Sequence, residues 1–156
     1  MNITKTFARR IFLYVALVFG VFAVVQPQVT NAQDPVTRQI KITSQYTILD
    51  FYSGLPWAFY EEGVASHVGH IHSVAKYVAD EETGYYGFGI MFAANGDQIF
   101  WEHPGGNVVY FTGGTGQFQG ATGEITCTLI SSEMVEGPSG TMSLVSTYIA
   151  VGTITY

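Results

Sequence analysis

Four histidines and one pair of adjacent glutamates are the residues best suited to chemistry in this chain of 156 residues. The stretch SHVGHIH holds His67, His70 and His72, and His103 is the only other histidine. Residues two apart on a strand share a face, so His70 and His72 point the same way. With a third donor from His103 or Glu102, brought in by folding, they would form a divalent-metal set. A cupin-like set would carry a glutamate a few residues after His-x-His, and Lys76 occupies that window. No metal is therefore the preferred assignment, with His70, His72 and His103 as the alternative set. Glu61 and Glu62 stand beside Trp57, Phe59 and Tyr60. A carboxyl buried among aromatics holds its proton more tightly and suits general acid work. In an unbroken strand Glu62 shares a parity with Ser66, His70 and His72, which makes it the candidate acid. A bulge at Gly63 or Gly69 would reverse that parity.

The elements that would position these groups are all β. Ile40, Ile42, Tyr46 and Ile48 alternate with Gln39, Lys41, Thr43, Gln45 and Thr47, the pattern of a half-buried strand. Asp50 to Gly63 contains Gly54 and Pro56 and reads as a loop or bent crossing, after which Val64 to Val78 resumes β character. Asp80 to Gly84 is a polar turn. Tyr85 to Ala94 and Gln98 to Glu102 form a hairpin around Asn95-Gly96-Asp97, residues that tolerate positive φ. Asn107 to Phe111, the alternating run GEITCTLI, and a closing strand from Thr141 complete the set. No segment of 33–156 has a helical apolar period. Seven or eight strands joined by short turns predict an antiparallel barrel or sandwich, because either shelters its edges.

The stretch FTGGTGQFQGATG, Phe111 to Gly123, has five glycines in thirteen residues. A phosphate loop would be followed by a helix and, in the Walker type, a Lys-Ser/Thr pair. Here the next element is a strand and no lysine is near, so the glycines are expected to serve a sharp turn or barrel corner.

The N-terminal residues 1–32 read as a signal peptide: Lys5, Arg9 and Arg10, then the apolar run Ile11 to Val25, then Thr30 and Ala32 at the small-x-small positions. The apolar run is too short for a stable span, which takes roughly twenty residues. Cleavage would leave 33–156 as one secreted or periplasmic domain, without stable membrane insertion. That domain carries three cations against twelve acids, a net charge of −9. So negative a surface argues against nucleic acid as a partner. Cys127 is the only cysteine, so no internal disulfide forms. It lies on the apolar parity of its strand and reads as a small buried hydrophobe.

Four segments in order are similar to the allene oxide cyclase-like barrel proteins, a calycin-like group that includes the dirigent proteins: EGVASHVG (Glu62 to Gly69), FAANGDQIF (Phe92 to Phe100), FTGGTGQFQGATGEIT (Phe111 to Thr126) and VGTITY (Val151 to Tyr156). The resemblance implies an all-β, single antiparallel eight-stranded calycin-like barrel with an apolar interior, and chemistry, if any, without a cofactor. His67 coincides with the histidine of the first segment, whereas His70 and His72 stand where other residues are usual. The expected function is a secreted barrel that binds a small apolar or aromatic molecule and guides its cyclisation or isomerisation. Glu62 and His67 are the candidate catalytic pair, and Trp57, Tyr60, Phe88, Phe92 and Trp101 the candidate ligand contacts. A metal-dependent enzyme and a non-catalytic extracellular interaction module, self-associating through an outer apolar patch, are the alternatives.

Overall fold

The computed structural model describes residues 34–137 and 140–156. The signal-peptide expectation, residues 1–32, falls outside them.

Eight strands succeed one another: β1 (Thr37–Leu49), β2 (Trp57–Ala65), β3 (Gly69–Asp80), β4 (Gly84–Phe92), β5 (Gln98–His103), β6 (Val108–Gly114), β7 (Thr122–Glu136) and β8 (Met142–Thr155). Each pairs antiparallel with the next, and β8 pairs back onto β1 to close the barrel. Closure removes both sheet edges, the main hazard of so β-rich a chain. The alternation expected in β1 is observed: Ile40, Ile42, Ser44 and Ile48 are buried, with Tyr46 half-buried on the same face. Asp50 to Gly63 is not wholly a loop, however. Only a short turn of 3-10 helix (Phe51–Ser53) and the residues up to Pro56 are irregular, and β2 begins at Trp57. Trp57, Phe59, Glu61 and Ala65 face inward from it, and Ala58, Tyr60, Glu62 and Val64 face outward.

The two ends of the barrel differ. One end is closed by Ile40, Val68, Ile71, Ala93, Ile99, Ala121 and Ile154 around Phe118, which is fully buried and packs edge-on against Tyr156, with ring centroids 4.8 Å apart. The glycine stretch lies at this end. Its short 3-10 turn (Gly116–Phe118) is anchored to the β4–β5 hairpin by Asp97, whose carboxylate accepts the Gln117 amide N–H at 3.0 Å and an Asn95 Nδ2–H at 2.7 Å. Gly116 has φ +56°, and a Cβ there would collide with the Asp97 carboxylate. The anion that this glycine-rich loop holds is thus the protein's own side chain, and the loop is a barrel corner that delivers Phe118 as a plug.

Candidate functional site

Above the plug the barrel is hollow. A cavity of about 400 Å³ opens at the other end, where the connections β1–β2, β3–β4, β5–β6 and β7–β8 lie. Such a volume suits a small-molecule site, typically roughly 300–1,000 Å³. An eight-stranded barrel sits at the limit between filling itself and holding one ligand. Here the aromatic side chains lie along the wall instead of across the lumen. Gly87 and Gly89 are on the inner face of β4, and their missing side chains leave room for the rings of Tyr77 and Trp101; a Cβ at Gly89 would stand 2.6 Å from Trp101 Cζ2. Ring contacts then run along the wall from Tyr148 to Tyr46 (4.8 Å), Tyr46 to Phe59 (4.7 Å), and Phe59 to Tyr77 (5.8 Å) and Trp101 (6.0 Å). At the mouth Trp57 stacks on Phe51 at 5.0 Å and donates its indole N–H to the Phe51 carbonyl at 3.1 Å.

The polar groups inside are held in defined states. His103 Nε2 lies 3.1 Å from the Gly106 carbonyl, which can only accept, so Nε2 carries the proton. The lone pair on Nδ1 then accepts the Tyr77 hydroxyl at 3.0 Å. Burial lowers the His103 pKa from its ordinary value, opposed by the Gly106 hydrogen bond, and keeps the ring in this neutral form. Tyr46 donates to Tyr148 at 3.0 Å. Burial raises the pKa values of Tyr46 and Tyr77 well above the usual phenol range, so both remain hydrogen-bonding phenols. Cys127 lines the cavity, and burial with the nearby Glu61 charge pushes its thiol up to about 11, which makes it a poor nucleophile at neutral pH. Glu61 is the one carboxyl group in the lining, and among the described residues its side chain has no hydrogen-bond or ion-pair partner.

The residues singled out from the sequence divide between the two faces of the wall. Trp57, Trp101 and His103 line the cavity. Glu62 does not; it is exposed on the outer face of β2, where it accepts the hydroxyl proton of Tyr60, itself exposed. Phe88 is exposed on β4, and Phe92 stacks outside the barrel on His72 with ring centroids 4.6 Å apart. His67 sits in the β2–β3 turn at the closed end with φ +66°. His70 and His72 share a face as expected, and so does Glu62, the register partner of His72. That face is the outer one, so the wall separates them from His103. Among the described residues no group of three His, Cys, Asp or Glu side chains is placed to hold a metal. Sequence reasoning missed Glu61, Tyr46, Tyr77, Tyr85 and Tyr148 as site residues. For Glu61 a signal existed: counting in twos from Trp57 and Phe59 leads to Glu61, not Glu62.

No family model matches the chain, and no curated protein matches it. Among solved structures it is similar to a pterocarpan synthase dirigent protein, with a TM-score of 0.51 over 85% of this chain and 98% of that one. The chain has a dirigent-type barrel fold. Sequence identity is only 12%, so the likeness extends to the fold and not to the site.

Proposed function

We propose that the protein binds one small apolar or aromatic molecule in the barrel cavity and holds it in a single folded conformation, guiding a cyclisation or isomerisation that needs no cofactor. The observation that carries this reading is the hollow itself, about 400 Å³ walled by Tyr46, Phe59, Tyr77, Trp101 and Tyr148. A packed barrel would have been the more stable use of the same strands, since side-chain contacts fill a core at little cost. Tyr46 is hydrogen-bonded to Tyr148 and Tyr77 to His103, which pre-organises these rings and reduces the ordering cost of binding. The similar dirigent protein is named as a pterocarpan synthase, and a guiding role on a small molecule is taken over from it as part of this proposal. Calorimetric titration with naphthylmethanol tests it: one saturable site per chain is expected, and no heat of binding would reject it.

Export to the periplasm or medium belongs to the same reading, supported by the basic and apolar leader; N-terminal sequencing of protein recovered outside the cytoplasm should begin at Gln33. Self-association is supported by the apolar outer face, where exposed Tyr60 and Val74 are register partners and Phe88 lies nearby. Light scattering that gives a strictly monomeric mass would count against it.

A further inference from the structure

Building on ligand binding in the cavity, we propose that the ligand is an organic cation: an aromatic or apolar body carrying one ammonium group, which sits against the Glu61 carboxylate within the aromatic wall. Three independent features of the barrel point to this class.

The first is the charge of the lining. Among the described residues Glu61 is the only charged side chain in it, because His103 is neutral, and no lysine or arginine contributes. The three cations of the described chain, Arg38, Lys41 and Lys76, are exposed. Glu61 is half-buried and, among the described residues, no group pairs with its carboxylate; an ammonium group brought against it would gain a charge-assisted hydrogen bond. An anionic ligand would add a like charge instead.

The second is the wall around it. Glu61 is the register partner of Tyr46 on β1 and of Ser73 on β3, at the level of the ring chain Tyr148, Tyr46, Phe59, Tyr77. Aromatic faces carry negative potential and attract cations, most strongly where water is excluded. The wall and the carboxylate therefore select the same ligand charge. Of the wall hydroxyls, Tyr46 donates to Tyr148 and Tyr77 to His103, so neither proton competes for Glu61.

The third is the rim. The four connections at the open end and the strand ends that flank them hold Asp50, Asp80, Glu81, Glu82 and Glu136, and no lysine or arginine. Asp80 is turned onto its own loop, where its carboxylate accepts from Thr83 and Glu82. Glu81 and Glu82 remain exposed. A negative mouth above a negative interior raises the local concentration of cations and steers them inward.

The test is a calorimetric titration with three probes of one shape: naphthylmethylammonium, naphthylmethanol and naphthoate. The ammonium is expected to bind at least roughly tenfold more tightly than the alcohol, with naphthoate weakest. Glu61→Gln should remove most of that preference, while Glu62→Gln, on the outer face, should keep it. Unchanged thermal unfolding of both variants shows that the fold is retained. Equal affinity for ammonium and alcohol, or a preference that survives Glu61→Gln, overturns the cation assignment and leaves cavity binding standing. Binding of none of the three overturns both.

Discussion

The closed and open halves of the barrel are built from the same eight strands and the same alternation, yet one is solid and the other hollow. At the closed end, branched aliphatics and alanines meet around Phe118, which fills the centre with Tyr156 packed against it. At the open end the large residues are aromatic, and they are held sideways: Tyr77 and Trp101 lie over Gly87 and Gly89, Tyr46 is bonded to Tyr148, and Tyr77 to His103. What decides between core and cavity is therefore the orientation of large side chains, not their number. Glycines on the inner face and hydrogen bonds between ring hydroxyls keep those side chains against the wall.

The difference can be broken from either side. Phe118→Ala removes the plug and should cost the most, about 3–5 kcal/mol of unfolding free energy in urea, because it opens a void in packed surroundings. Asp97→Ala removes the acceptor of the exposed Gln117 N–H in the anchored turn and should cost about 0.5–1.5 kcal/mol in the same assay. Ala150→Phe acts on the other half. Ala150 lines the cavity, so the added ring has space to enter; stability should move by less than about 1.5 kcal/mol while naphthylmethanol binding falls at least roughly tenfold.

The smallest effect is a pH dependence. His103 has a folded pKa below the ordinary 6.5, so the unfolded chain takes up that proton first as the pH falls. The stability that neutral His103 contributes is present above pH 6.5 and is lost progressively below it, toward the folded pKa. His103→Gln should flatten the stability profile in that window relative to the unmodified protein, as measured by urea unfolding between pH 7.5 and about 5. Identical profiles would mean that His103 is not held neutral.

Much of this fold could be read from residue patterns. The alternation Ile40, Ile42, Tyr46, Ile48 places β1 on the correct face, and Asn95-Gly96-Asp97 marks the β4–β5 hairpin, where Gly96 takes φ +88°. The glycine stretch is legible as a corner, since it leads into a strand and not a helix. Its partner Asp97 is not, because the contact joins residues twenty positions apart through tertiary packing. The site was half legible. Trp57 and Trp101 could be picked out by type, but Tyr60, Phe88 and Phe92 are equally aromatic and point outward, a matter of strand phase that composition does not report. For Tyr60 the start of β2 at Trp57 fixes that phase, and Gly54 and Pro56 obscured it by suggesting that the irregular segment ran on to Gly63. Hollowness was not legible at all, because it depends on ring orientation over Gly87 and Gly89.

The claim that a ligand occupies the open half is tested most directly by tryptophan fluorescence. Trp57 at the mouth and Trp101 deeper in the wall are the two tryptophans of the chain, and both line the cavity. Titration with a neutral nitroaromatic quencher such as nitrotoluene should give saturable quenching that reaches the buried Trp101 and is lost in Ala150→Phe. Quenching that rises linearly without saturation, spares the buried tryptophan and is the same in Ala150→Phe would contradict it.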